Sequence, residues 1–284
     1  MQLYIDYFSQ HLIAATVMVA IVSLLVGSFL NVVIHRIPTM MQREWDAEIT
    51  GEPAAERYNL VTPNSQCPDC EHPIQWYENI PILSYFLLLR GKCSQCKKPI
   101  SLRYPAIEFL SALLSIPIVY SFGFSTITGY ALIFTWVLIA LTFIDLDHFL
   151  LPDKLTLPLL WLGLILNIDN TFTSIESAVY GAVAGYLSLW SIYWIFKLIT
   201  GKEGMGYGDF KLLAALGAWM GITALPMIIL VSSVSGVVIA IVLSIFSNKQ
   251  LDKPIPFGPY LAIAGFISLL WGPLLTQLYL NTFL

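Results

Sequence analysis

The chain has 284 residues, of which 57% are hydrophobic and 11% charged, with a formal net charge of −4 and a mean hydropathy of +0.74. This composition excludes a soluble globular protein of that length and identifies a membrane protein. No nucleic-acid partner is expected; the lipid bilayer is.

The first apolar stretch, residues 11–34, is long enough to cross the hydrocarbon, which takes about 20 residues. The segment before it, MQLYIDYFSQ, has no basic region, which predicts an uncleaved helix in place of a removable signal peptide. Residues 35–103 follow as a large polar loop that holds more than half of the basic residues and all 4 cysteines. Within it, ITGEPAAERYNLVTPNSQ carries turn formers, lacks helical periodicity and reads as linker. Further apolar stretches occur at 104–122, 128–144, 155–168, 177–196, 210–223, 225–246 and 257–282, for a total of about eight spans. The two shortest, 155–168 and 210–223, also suit re-entrant or partly buried helices. The expected fold is all-α and polytopic, with a first transmembrane helix over 1–34, a loop domain over 35–103 and a bundle over 104–284. No internal repeat is evident at this level of reading.

The basic residues orient these elements. Arg36, Arg43, Arg57, Arg90, Lys92, Lys97, Lys98 and Arg103 follow the first span, Lys154 the third, Lys197, Lys202 and Lys211 the fifth, and Lys249 and Lys253 the seventh. Those are all 14 Lys and Arg, and all lie in or beside alternate connections, whereas the others carry acids such as Asp6, Asp169 and Glu176. The positive-inside rule then predicts a cytoplasmic large loop and both termini on the outside.

The cysteines are arranged as CPDC (Cys67, Cys70) and CSQC (Cys93, Cys96), separated by 22 residues. Two CxxC turns can complete a tetrahedron of thiolates, so a structural zinc site is expected, with no position left open for substrate. In a reducing cytoplasmic loop this outweighs thiol exchange. A loop so small builds little apolar core, so the metal would supply its folding energy.

Two carboxylates sit at the same predicted depth. The third span runs inward and ends in TFIDLDHFLLPD, placing Asp145 at the cytoplasmic boundary, and the sixth runs outward after GMGYGD, placing Asp209 there too. Ionisable groups at such a boundary are costly unless paired, solvated or in use. Two close carboxylates share a proton, which suits one as base toward water and the other as acid toward a peptide carbonyl. Gly206 and Gly208 are expected to supply positive φ and room for an extended substrate. The spacing suits equally an Asp209 that merely caps a helix, and DLDH and LPD could mark a solvated helix end with Asp147, His148 and Asp153 in water.

GMGYGDFKLLAALGAW and FIDLDHFLLPDKLTLP, together with GSFLNVVIHRIP, YNLVTPNSQCPDC, RYPAIEFL and IPFGPYLA, resemble the bacterial type IV prepilin peptidases across nearly the whole chain. The resemblance implies a bifunctional enzyme of the inner membrane that serves pilus assembly and type II secretion. It would cut prepilins and pseudopilins after a short basic leader and then methylate the new α-amine from S-adenosylmethionine. It maps the two catalytic aspartates onto Asp145 and Asp209 and leaves Asp147 a supporting role. A basic leader stays in the cytoplasm, so the cut would fall at the inner face.

The methyl-donor site is not readable, because GMGYG lacks a preceding strand and the dinucleotide-binding spacing. Candidates are the large loop and the polar residues Asn31, Arg36 and Glu108 at its edges. Gly27, Asn31 and His35 share a helix face, which close helix packing also explains. A proton-coupled transporter would place carboxylates near the midplane with a repeat between halves, and a membrane thiol oxidoreductase would place its CxxC pairs on the oxidising side. Neither pattern fits.

Overall fold

A computed structural model describes residues 7–51, 58–246 and 255–283. Asp6, Arg57, Lys249 and Lys253, used above to orient the chain, lie outside the described residues. The chain forms two compact units, Met1–Ala140 and Leu141–Leu284.

The first unit is built on α1 (Leu12–Thr50) and α2 (Arg103–Phe122), and it also holds the first part of α3 (Thr126–His148). Helix α1 continues well past residue 34, so the first span and the start of the loop domain are one element. It stops at Gly51, whose φ of 70° is left-handed and whose N–H donates to Ala47 O. Helices α1 and α2 run antiparallel, because Asn31 Nδ2 donates to Tyr104 O while Gly27, one turn further along, faces Glu108 and Ser111. A Cβ on Gly27 would lie 2.7 Å from Glu108 Cα, so the glycine lets the two backbones approach. Between these helices, the described chain folds as loops with a 3₁₀ turn at Trp76–Asn79 and a π turn at Ser84–Leu88. Arg36 anchors the start of this region, donating to Asn59 O at 2.8 Å and Pro63 O at 2.7 Å.

The second unit contains the last turns of α3, then α4 (Asp153–Leu166), α5 (Ile175–Thr200), α6 (Tyr207–Met220), α7 (Leu225–Phe246) and α8 (Gly258–Phe283). Among the described residues six helices, including α1, α2, α3 and α5, are long and apolar enough to cross a membrane. The two shortest predicted spans are the 14-residue helices α4 and α6. Helix α6 is the core: Asp209, Phe210 and every residue from Leu212 to Trp219 are buried. A helix apolar on all sides can lie against protein or lipid; here protein from α4, α5 and α8 covers it.

The packing is close enough to exclude side chains. Gly181 of α5 and Gly217 of α6 touch through their backbones, one turn on Gly185 meets Leu213 O, and Gly163 of α4 lies against the Trp219 ring. Gly181 and Gly185 are a small-xxx-small pair, the pattern that lets membrane helices dock. At the far end of α6, buried Asn167 donates to Ala218 O and Trp219 O and accepts from the N–H groups of Phe172 and Thr173, which satisfies the helix end.

Gly217→Val should therefore destabilise the second unit by about 1–3 kcal/mol or more, the cost of overpacking. Gly129→Val, with no atom within 4 Å of the added carbon, should be neutral. Denaturation of both variants in detergent measures the difference.

Candidate active site and metal centre

Asp145 lies in the last turn of α3, which Phe149 ends with a left-handed φ of 55°. Asp209 lies in the first turn of α6. Both are buried, 5% and 6% exposed, although each is a carboxylate, and they lie close enough to interact electrostatically. Asp147 and His148 are exposed, as a two-residue step around the helix requires.

Glycine N–H groups hold both carboxylates. Gly258, the first residue of α8, donates to Asp145 Oδ2 at 2.9 Å, and Gly206 donates to Asp209 Oδ2 at 3.2 Å. The second oxygen of Asp209, Oδ1, is buried without a hydrogen-bond partner among the described residues. Asp209 is thus part of the helix cap, but as the third helical residue reaching back to Gly206, and capping occupies only one of its oxygens.

The glycines work differently from the expectation. Gly206 has φ −82°, and neither it nor Gly208 is among the positive-φ residues. What Gly208 provides is proximity: a Cβ there would lie 2.6 Å from Leu151 Cβ, in the turn that follows α3. The segment that presses on Gly208 is this chain's own LLPD turn, and the contact sets Asp209 beside the end of α3. Gly258 plays the matching part for Asp145, since a Cβ on it would lie 2.6 Å from Asp145 Oδ2. Sequence reading did not single out Gly258; the only signal was its place in IPFGPYLA. Across the mouth of this region, Lys211 Nζ bridges both oxygens of Asp153, at 2.6 and 2.7 Å, joining α6 to α4.

The four cysteines of the first unit do meet. Their sulfurs lie within 4.8 Å of one another, with Cys67 to Cys96 at 3.8 Å and Cys70 to Cys93 at 3.9 Å. Sulfurs 2.3 Å from a tetrahedral metal are separated by ~3.8 Å, so the set fits such an ion.

The two CxxC turns are copies of one another, a repeat that the sequence reading missed. QCPDCEHPI (66–74) and KCSQCKKPI (92–100) share the pattern CxxCxxPI. Cys67 N–H donates to His72 O, and Cys93 N–H to Lys98 O. Glu71 N–H returns to Cys67 O as Lys97 N–H does to Cys93 O, and Ile74 and Ile100 close on Ser65 and Gly91. Glu71 and Lys97 are both left-handed, at φ 56° and 61°. Buried Glu78 ties the turns together: it hydrogen-bonds Ser94 of one and lies 4.0 Å from His72 of the other.

The backbone N–H groups of Cys96 and Gln95 point at Cys93 and pull its thiol down to about 6. Cys70 has a favourable N–H from His72, yet desolvation and the three neighbouring sulfurs push it up to about 12. Four thiolates this close need a cation among them.

The residues considered for the methyl donor are otherwise engaged. Asn31 and Arg36 hold backbone carbonyls, and Glu108 accepts from Ile82 N–H at 2.8 Å. A cleft of about 590 Å³ lined by Ala184, Ser188, Leu225, Pro226, Ile229 and Val234 is apolar and offers nothing to a charged sulfonium or an amino-acid tail. Neither these three side chains nor this cleft offers a cradle for S-adenosylmethionine.

Fold and site together define an all-helical polytopic membrane protein with paired buried carboxylates and a four-cysteine cluster of metal-binding geometry. Residues 21–122 match the bacterial peptidase A24 N-terminal domain, and residues 132–241 match the type IV leader peptidase family. A prepilin leader peptidase/N-methyltransferase of Stutzerimonas stutzeri is 54% identical over 98% of both chains. A protein of that name from Pseudomonas aeruginosa is 54% identical over 98% of this chain and 97% of its own, and one from Aeromonas hydrophila is 58% identical over 94% of each. No solved structure matches. The chain belongs to the type IV leader peptidase family.

Purified protein should contain about one tetrahedral metal ion per chain, and Cys70→Ser or Cys96→Ser should lose it together with the order of the loop. Elemental analysis with thiol titration decides this: no metal and four titratable thiols would contradict the assignment.

Proposed function

We propose that this chain is a membrane aspartic endopeptidase that removes the short basic leader of prepilins and pseudopilins, then methylates the exposed α-amine from S-adenosylmethionine. The observation that carries the reading is the pair of buried, glycine-tethered carboxylates, Asp145 and Asp209. Burial of two acids in one unit has a large desolvation cost, which folds retain where the groups are used. One carboxylate takes a proton from water as that water attacks the scissile carbonyl, while the other gives a proton to the carbonyl oxygen. The first carboxyl then gives its proton to the amine nitrogen as the C–N bond breaks, and the second takes a proton back from a hydroxyl of the tetrahedral diol, so the pair ends as it began, one ionised and one protonated. Tethering by Gly206 and Gly258 fixes one oxygen of each carboxylate and aims the other.

The remaining assignments belong to the same reading. The protein resides in the bacterial inner membrane with both termini periplasmic and the 35–103 domain cytoplasmic, as the distribution of Lys and Arg supports. The metal is zinc in a structural role, because four thiolates complete its shell. Asp145 and Asp209 provide no cofactor cradle, so methylation uses other residues.

Asp145→Asn and Asp209→Asn should each lower leader cleavage by about 1000-fold or more while leaving the inserted protein intact, since an amide cannot act as base. Asp147→Asn should lose only a few-fold. Asp209→Asn given already cleaved pilin should still transfer labelled methyl. The assay is cleavage and methyl transfer by full-length protein in detergent micelles. Normal cleavage by either dyad variant contradicts the assignment, and complete loss of transfer in folded Asp209→Asn would mean that the two sites overlap.

A further inference from the structure

Glu108 is a carboxylate within a membrane helix, 8% exposed, and the proposed chemistry does not use it. Its partner is unusual. Oε2 accepts from the N–H of Ile82, and Ile82 is a β-branched residue held at φ 61°. Leu83 N–H donates to Pro81 O at 2.6 Å, which makes Pro81–Leu83 a γ-turn with positive φ at its centre, a rare and strained form. A strained turn persists where its surroundings over-determine it. Ser28 of α1 adds a second attachment, lying 3.4 Å from Asn79 and hydrogen-bonding Glu108.

Those contacts fix how deep the turn lies. Ser28 is eight residues toward the membrane from Arg36, or about 12 Å along α1, and Glu108 is five residues beyond Arg103, or about 7 Å along α2. The register of the two helices agrees, because Asn31 pairs with Tyr104 at the edge and Gly27 with Glu108 further in. Residues 79–89, NIPILSYFLLL, carry no charge, and Arg90 and Lys92 follow at once. Leu83, Phe86, Leu87 and Leu88 are 56%, 56%, 70% and 58% exposed. Phe29 of α1 and Phe109 of α2, each next in sequence to an attachment point, are also exposed.

We infer that residues 79–89 form a re-entrant segment that enters the lipid leaflet beside α1 and α2, with Glu108 as its pin and acyl chains covering Leu83, Phe86, Leu87 and Leu88. Non-helical backbone at membrane depth needs its polar groups satisfied by protein, and the Glu108 carboxylate satisfies the N–H at the sharpest bend. Arg90 and Lys92 then meet the headgroups as the chain leaves, where basic residues are favoured. Eleven residues are too few to span, so the segment must return to the face it came from.

The test uses full-length protein in lipid nanodiscs. With p-benzoylphenylalanine in place of Leu87, illumination should yield phospholipid adducts on the acyl chain. The same group in place of Val61, 79% exposed in the loop, should yield none. Adducts only to protein at position 87, or no lipid adduct there while the same group in place of Phe109, 57% exposed on α2, gives one, would overturn the insertion. Separately, Glu108→Leu should speed amide exchange at Ile82 by about tenfold or more while Glu108→Gln, which keeps an acceptor, changes it by less than about threefold. Equal exchange in all three proteins with metal content retained would overturn the pinning role.

Discussion

Helix α6 has no polar face, and most of the second unit follows from that. From Leu212 to Trp219 every side chain is buried by neighbouring protein. Covering a helix this closely requires neighbours without side chains at the contacts, and Gly163, Gly181, Gly185 and Gly265 meet it where a Cβ would clash. The polar end of the same helix carries Asp209. Enclosing α6 therefore buries a carboxylate, and the Gly208–Leu151 contact seats that carboxylate at the end of α3 near Asp145. The packing problem and the placement of the acids have one solution.

The first unit meets a different constraint. Its loops have little apolar interior, and their exposed groups include Trp76 at 80% and Val61 at 79%. Order comes instead from point attachments: two duplicated cysteine turns around one set of sulfurs, Arg36 on two carbonyls, and Glu108 on the Ile82 turn. A metal bound by the four sulfurs would add the largest of these, because the thiolates come together only on folding and binding energy is then folding energy.

The sequence made legible whatever depends on composition and periodicity. The long apolar helices and the four-cysteine cluster follow from hydropathy and spacing. It was less informative where backbones touch. GxGD suggested left-handed glycines, but Gly206 is extended, and Gly208 serves by close approach to Leu151, which no local pattern encodes. The cysteine repeat is visible in the sequence as CxxCxxPI, but outside that short pattern the two turns share little. The extension of α1 to Thr50 was hidden because its second half is polar and looks like loop by hydropathy alone. Glu108 stood out as a polar residue at the edge of the large loop, but its partner lies 26 residues away in a turn with no signature in the sequence.

The central claim is that Asp145 and Asp209 act as one unit and not as two independent contributors. Groups that share a proton transfer lose nearly everything when either is removed, so their losses do not add. Leader cleavage by full-length protein should be measured for Asp145→Asn, Asp209→Asn and the double variant under single-turnover conditions. The account predicts that the double variant is no slower than the slower single variant, within about threefold. A double variant slower by the product of the two single losses would contradict it.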